Sequence, residues 1–121
     1  MTSTTIGTVA SARHARVDAR GAVAPVDAAW SLDWWLGADD RWHRPADEPS
    51  ARQSLLESVP VVRTAVRVPG GDAVQHAYAV AGDIAVVEFV NESPTPFVLA
   101  LVVRGAHDLA ADGCTVEVDG H

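Results

Sequence analysis

From residue 61 onward, apolar and polar side chains alternate in short runs that are separated by Gly, Pro and Asp. Residues 62–68 place Val62, Val66 and Val68 on one side of an extended chain, and Arg63 and Arg67 on the other. A period of two is typical of a β-strand that has one buried face. Residues 69–72 and 81–83 have the composition of hairpin turns. Strands joined by such short turns predict an all-β fold, an antiparallel β-sandwich.

The remaining strands are predicted from the same kind of pattern. Residues 97–104 are almost continuously apolar, which predicts a central strand covered on both faces. The proline-containing residues 91–96 before it are interpreted as a hairpin connection. Within residues 43–60, an eight-residue helix over residues 51–58, capped by Ser50, and a loop over the sheet edge are both compatible with the sequence. The other predicted strands lie within 17–26 and at 30–36, 73–81, 84–90 and 115–118.

The 121 residues are enough for one domain with a single core. Residues 1–15 are small and polar, so we expect a disordered N-terminal tail, with the sandwich over residues 16–121. Asp119 and Gly120 form a favoured hairpin-turn pair, and only His121 follows them. We therefore expect the sandwich to be incomplete at its C-terminus, with an unpaired edge at residues 115–118 next to the strand at residues 97–104.

All four tryptophans lie between positions 30 and 42. In a strand over residues 30–36, Trp30 and Trp34 share one face with two leucines, so we expect both rings in the core. Trp35 points to the opposite face, and Trp42 follows a charged turn. These two rings are the candidates for an exposed platform, because a tryptophan can stack on a sugar or anchor a protein contact.

Charged side chains accompany this platform. Asp39, Asp40 and His43 join Trp35 and Trp42 as the candidate residues for contact with a carbohydrate or a neighbouring domain. Adjacent carboxylates on a turn rarely provide the separated acid and base that glycoside hydrolysis requires, so no catalytic residue is assigned. The spacing of the acidic residues and His43 matches no metal-ligand pattern, and no cofactor motif is present.

Composition restricts the partners and the cellular location. The net charge of −7 at pH 7 argues against a nucleic-acid surface. No apolar run approaches the ~20 residues of a membrane span, and residues 1–16 do not have the pattern of a signal peptide. Cys114 is the single cysteine, so no internal disulfide can form. These features predict a cytoplasmic protein without a membrane or nucleic-acid partner.

Three stretches, residues 33–45, 52–80 and 86–105, resemble the N-terminal region of actinobacterial proteins related to glycogen-debranching-type glycosidases. The resemblance spans residues 30–105. It implies an N-terminal β-sandwich that precedes an α/α toroid, which carries the catalytic carboxylates in such proteins. The sequence stops before any toroid, so the resemblance transfers no catalytic residue.

The expected function is a non-catalytic N-terminal β-sandwich module of a carbohydrate-processing protein. It would pack against, or shape, a catalytic domain of the same polypeptide or of another protein chain. Two alternatives remain open. One is a free-standing interaction module that forms homo-oligomers through an exposed sheet edge. The other is an independent carbohydrate-binding module that holds an oligosaccharide on Trp35 and Trp42.

Overall fold

In a computed structural model, which describes residues 3–8 and 12–120, the chain is an antiparallel all-β sandwich. Its strands are β1 Ser3–Ile6, β2 Ala15–Asp18, β3 Val23–Pro25, β4 Ser31–Gly37, β5 Trp42–His43, β6 Arg52–Leu55, β7 Val62–Val68, β8 Gly71–Val80, β9 Ile84–Glu92, β10 Val98–Arg104, β11 Leu109–Asp112 and β12 Thr115–Val118. The first sheet has the order β1-β2-β3-β4-β10, with β5 beside β4, and the second has the order β6-β7-β8-β9. β11 and β12 form a separate hairpin. The predicted all-β sandwich is confirmed.

The alternating sequence after residue 61 forms the centre of the second sheet. Val62, Val66 and Val68 of β7 are buried, whereas Arg67 is exposed, as the period-two pattern predicts. The β7–β8 turn is closed at Gly70, whose φ of 83° suits a residue without a Cβ. The turn at residues 81–83 joins β8 to β9 in the same way, so both predicted hairpins are confirmed.

Two apolar clusters lie between the sheets. One is formed mainly by β1, β2 and β3 against the start of β7 and the end of β8. The other places Trp34 and Leu36 of β4 against the end of β7 and the start of β8. The buried members are Ile6, Ala15, Val17, Val23, Val62 and Ala77 in the first cluster, and Trp34, Leu36, Val66, Val68 and Ala73 in the second.

A buried polar group at the inner face of the second sheet holds the β2–β3 turn. Gln75 is 2% exposed and donates its side-chain N–H to the carbonyl oxygen of Gly21 at 2.7 Å. Gln53 donates to the carbonyl oxygen of Asp18 at 2.6 Å and to the hydroxyl of Thr64 at 3.0 Å. Because buried polar groups are costly without partners, these bonds tie the turn of the first sheet to the second sheet.

The N-terminal part differs from the expectation in two places. Residues 3–6, assigned above to a disordered tail, form β1 and pair with β2, so that assignment is wrong for them. Residues 1, 2 and 9–11 of the same segment lie outside the described residues. The single strand expected within 17–26 is two strands, because the chain reverses between Asp18 and Ala22.

The region around residues 43–60 contains a 3-10 turn and an edge strand, neither of which was expected from the sequence. Pro45–Asp47 is a single turn of 3-10 helix, which suits a proline at the first helical position. Arg52–Leu55 is the edge strand β6, where a short helix was one of the alternatives. The pairing of β6 with β7 decides this, since an eight-residue helix is marginal by itself.

The predicted central strand is an edge strand. β10 pairs with β4 on one side, and no other strand of the described residues pairs with it. Residues 93–97 cross from β9 in the second sheet to β10 in the first, so they are not a hairpin connection. Strand β12 pairs with β11, so the edge expected at residues 115–118 is not beside residues 97–104. Local composition cannot report which strands are neighbours, and that is why these three expectations were wrong.

The Asp119–Gly120 turn is present, since both residues have positive φ, of 50° and 84°. Among the described residues, no helix is long and apolar enough to cross a membrane.

Candidate functional site

The β4–β5 hairpin positions the candidate residues. Ala38 donates its backbone N–H to the carbonyl oxygen of Arg41 at 3.1 Å, which closes a turn whose two central residues are Asp39 and Asp40. Beyond this turn, Trp42 pairs with Gly37 and His43 pairs with Leu36. Facing residues share one face of a sheet, so Trp42 lies on the outer face and His43 on the core side.

A tryptophan face, which we define as Trp35, Trp42, Arg44 and Val98, lies on the outside of the first sheet. The rings of Trp35 and Trp42 meet edge to face, with centroids 6.3 Å apart and planes at 69°. The guanidinium carbon of Arg44 lies 4.5 Å from the centre of the Trp35 ring, a cation–π contact. Trp42 is 49% exposed, and Val98, which faces Gly37 across the ladder, is 63% exposed.

Gly37 permits this arrangement. A Cβ at position 37 would lie 3.1 Å from the Trp42 ring atom Cη2, closer than such contacts normally allow. The ring of Trp42 therefore lies directly against the backbone of β4. An open depression beside the ring is lined by Arg41, Trp42, Arg44, Asp47, Glu48 and Pro49.

His43 does not belong to the exposed platform, because it is only 3% exposed. Its Nε2 lies 2.9 Å and 3.1 Å from the two carboxylate oxygens of Asp40. Its Nδ1 lies 3.1 Å from Oε1 of Glu48. A carboxylate therefore faces each ring nitrogen, and an imidazole that carries a proton on both nitrogens can donate to both.

Arginines complete this carboxylate–imidazole clamp, which we define as Asp40, Arg41, His43 and Glu48. Arg41 Nη1 lies 2.6 Å from Glu48 Oε1 and also donates to the carbonyl oxygen of Trp42 at 3.2 Å. Arg20 reaches across from the β2–β3 turn and donates to the carbonyl oxygens of Pro45 and Glu48. The clamp and Arg20 together hold the backbone on both sides of the 3-10 turn.

The charges of the clamp alter its proton affinities. The hydrogen bond from His43 holds the pKa of Asp40 below its ordinary value. The hydrogen bond from Arg41 lowers the pKa of Glu48, against the opposing effect of burial, and the same bond raises the pKa of Arg41. Both carboxylates are therefore stabilised in the charged form.

Four of the five candidate residues are brought together by the structure, although they do not form one surface. Trp35 and Trp42 are in contact on the outer face, whereas Asp40 and His43 are joined in the clamp. Asp39 is exposed at the tip of the turn. Within residues 3–8 and 12–120, no group of three or more His, Cys, Asp or Glu side chains is arranged to hold a metal ion.

Trp30 was expected in the core, and this expectation is wrong. Strand β4 begins at Ser31, so the period of two does not extend to Trp30, and the residue belongs to neither core cluster. Its ring instead lines a cavity of about 220 Å³ at another part of the sandwich, together with Ile6, Ala28, Ala79 and Ile84. Trp34, by contrast, is 1% exposed, as expected.

Sequence reasoning missed Glu48, Arg41 and Arg20. Glu48 lies between Pro45 and Pro49 and carries no motif, and it reaches His43 only because the 3-10 turn folds the chain back. Arg20 is distant in sequence and could be found only from the fold. A weak signal existed in the proline pair, which predicts a tight turn after His43.

We expect the clamp to make stability depend on pH on the acid side. The pKa of Asp40 and of Glu48 is lowered on folding, so unfolding takes up protons at acidic pH. The folded state therefore becomes less stable as the pH is lowered. The contribution is complete above the ordinary values of 3.8 and 4.5, and it is lost as pH falls through the lowered folded values. Urea unfolding followed by circular dichroism from neutral pH downward measures this loss.

Two variants distinguish the contribution of the clamp to acid sensitivity from that of the other acidic groups. Glu48→Gln should be less stable at neutral pH, because it removes the ion pair with Arg41, and it should lose less stability on acidification. Asp39→Asn, on the same turn and exposed, should keep the wild-type pH profile. An unchanged acid slope in Glu48→Gln would show that the clamp does not contribute to acid sensitivity.

No family model, no curated protein and no solved structure matches the chain. The tryptophan face and the clamp are therefore the features from which we propose a function.

Proposed function

We propose that this chain is a non-catalytic β-sandwich module of a carbohydrate-processing protein, which packs against a catalytic domain through its tryptophan face. The exposure of Trp42 and Val98, at 49% and 63%, is the observation that carries the proposal. Aromatic and arginine side chains at the centre of an exposed patch are typical of the residues that dominate protein interfaces. Here Trp35, Trp42 and Arg44 are in contact with one another.

The contacts that position this surface support docking. Trp42 lies against the backbone of Gly37, and its neighbour His43 is held from both ring nitrogens. Binding costs free energy whenever side chains must be ordered, so a surface that is already ordered has less to lose. Asp39 and Arg41 place both signs of charge at the margin of the face, as in the polar rim of an interface.

The carbohydrate-processing setting comes from the sequence resemblance, which implies an α/α toroid as the catalytic partner. A bacterial source and a cytoplasmic location are parts of the same proposal and rest on composition and on that resemblance. The chain itself acts in this proposal as a structural partner, since its carboxylates Asp40 and Glu48 are held by His43 and Arg41.

A second candidate function is carbohydrate binding by the face itself. The observation in its favour is the half-exposed ring of Trp42, which stands beside the open depression that Arg44 and Asp47 also line. A sugar ring can stack on an exposed indole, while charged side chains at the margin accept or donate hydrogen bonds to hydroxyls. The same residue, Trp42, would carry either function.

Two titrations in a calorimeter test the two candidates. In the first, the purified α/α-toroid domain of an actinobacterial protein of the kind that the sequence resembles is titrated into the chain; in the second, maltooligosaccharides are. We expect the toroid to bind, and we expect Trp42→Ala to weaken this binding at least about tenfold, which corresponds to about 1.4 kcal/mol.

The matched control is Val80→Ala, which alters an exposed apolar side chain, 37% exposed, in the other sheet. It should bind the toroid as the unmodified chain does. Binding of maltooligosaccharides without binding of the toroid would replace the first function with the second. Binding of neither probe, or equal losses in the two variants, would reject the tryptophan face as a functional surface.

A further inference from the structure

The outer edge of β10 is open along its whole length. All seven residues of the strand pair with β4 on one side, and no strand of the described part of the chain pairs on the other. Leu101 is 53% exposed and Val98 is 63% exposed, although both belong to a strongly apolar strand. A strand with an open edge and exposed apolar side chains is a template for a further strand.

The edge also lacks the features by which proteins commonly prevent such pairing. Strand β10 contains no proline and no lysine, and its ladder with β4 runs without a bulge. Its one charged residue, Arg104, stands at the end of the strand and is held near Asp33, with Arg104 Nε 3.5 Å from the Asp33 carboxylate. The central five residues are uncharged and apolar.

We propose that two copies of this chain associate by antiparallel pairing of β10 with β10, with the two-fold axis at Leu101. In this register Leu101 faces Leu101 of the second copy, and Leu99 faces Val103. Arg104 then faces Val98, so no like charges stand opposite each other, whereas an in-register parallel pair would place Arg104 against Arg104. The strand is thus complementary to itself, which is what a two-fold interface requires.

This pairing has a consequence for the tryptophan face. Residues that face each other in an antiparallel pair share one face of the sheet, so the first sheets of the two copies become one continuous sheet. Both tryptophan faces then lie on the same side. The dimer presents two equal surfaces to a partner, which raises avidity when the partner offers two sites. The pairing itself does not depend on the proposed function.

Net charge opposes the association. Each copy carries −7 at pH 7, so the two copies repel each other at low salt. Raising the salt from about 0.01 M to about 0.15 M shortens the screening length from about 30 Å to about 8 Å. We therefore expect the dimer to become tighter over this range, as measured by sedimentation equilibrium at several protein concentrations.

A cysteine at the axis tests the register directly. In a Cys114→Ser background, which removes the one native thiol, Leu101→Cys should give a covalent dimer on oxidation. Facing Cα atoms in an antiparallel pair are about 4.5–5.5 Å apart, within the span of a disulfide.

Val103→Cys in the same background is the matched control, because it lies on the same strand and the same face. In the proposed register, position 103 of one copy faces position 99 of the other. The two cysteines at position 103 would therefore be four residues apart, about 13 Å along the strand, and should not form a disulfide with each other. A mixture of Val103→Cys and Leu99→Cys chains should form the mixed disulfide.

Leu101→Lys provides a measurement without oxidation. Two lysines would face each other at the axis, so we expect the dimer dissociation constant to rise at least tenfold, with the circular dichroism spectrum unchanged because Leu101 is half exposed. A chain that sediments as a monomer at every concentration would overturn the proposal. So would a dimer in which Val103→Cys cross-links as readily as Leu101→Cys, or one that Leu101→Lys leaves intact.

Discussion

Replacing Trp34 with alanine is expected to lower the free energy of unfolding by about 3–5 kcal/mol, the range for large-to-small changes in a core. The ring is 1% exposed and packs with Leu36, Val66 and Val68 between the sheets. It also lies 5.5 Å from the ring of Phe89, centroid to centroid. Its Nε1 donates to the carbonyl oxygen of Arg20 at 3.1 Å, so the change also removes a hydrogen bond from the β2–β3 turn.

Trp42→Ala is the matched control for this prediction. The two residues are of the same type and lie in the same hairpin, but Trp42 is 49% exposed and packs mainly on Gly37 and Trp35. Its replacement should cost roughly 1 kcal/mol or less, as for a surface position. Urea unfolding followed by circular dichroism gives both values. Equal losses would contradict the placement of Trp34 in the core and of Trp42 on the outer face.

The alternation of side chains was enough to predict which face of a strand is buried. Trp34 and Trp35 are adjacent in β4, and the pattern correctly separates the buried ring from the outward one, because a strand must turn successive side chains to opposite faces. The failure at Trp30 has the same origin. The pattern holds only within the strand, and the strand begins one residue later.

The sequence could not show which strands are neighbours in the sheets. The composition of β10 is typical of a central strand, yet its position at an edge depends on how the chain crosses from β9 to the first sheet. The same holds for the candidate site. The contact between His43 and Glu48 needs the 3-10 turn, and the contact of Arg20 with the same turn needs the packing of two separate loops. Neither relation leaves a local pattern of charge or hydropathy.

Gly21 is a position at which a single added methyl group should be costly. Its φ is +86°, and it lies in the β2–β3 turn that Asp18 closes by accepting from the backbone N–H groups of Arg20 and Ala22. A Cβ at this position would lie 2.8 Å from Nε1 of Trp34 and 2.9 Å from Oε1 of Gln75. Both of these side chains are buried, so neither can move aside freely.

We therefore expect Gly21→Ala to lower the free energy of unfolding by about 2–5 kcal/mol. The left-handed backbone costs an alanine about 1–2 kcal/mol, and forcing an extra carbon into a packed core costs about 1–3 kcal/mol more. The new methyl group would also press on Nε1 of Trp34, which donates to Arg20, and on the amide of Gln75, whose N–H donates to Gly21. Hydrogen exchange at residues 18–22 should become faster than in the unmodified chain.

Gly82→Ala separates the backbone cost from the packing cost. Gly82 has a similar φ of +90°, but a Cβ there would meet only Cδ1 of Ile84, at 3.9 Å, an ordinary contact. Its replacement should cost about 1–2 kcal/mol, from the left-handed backbone alone. A clearly larger loss for Gly21→Ala, measured by urea unfolding under the same conditions, would establish that the β2–β3 turn is inserted into the core. Equal losses would place the turn outside the packed interior and contradict the contacts of Gln75 and Trp34 that join the two sheets.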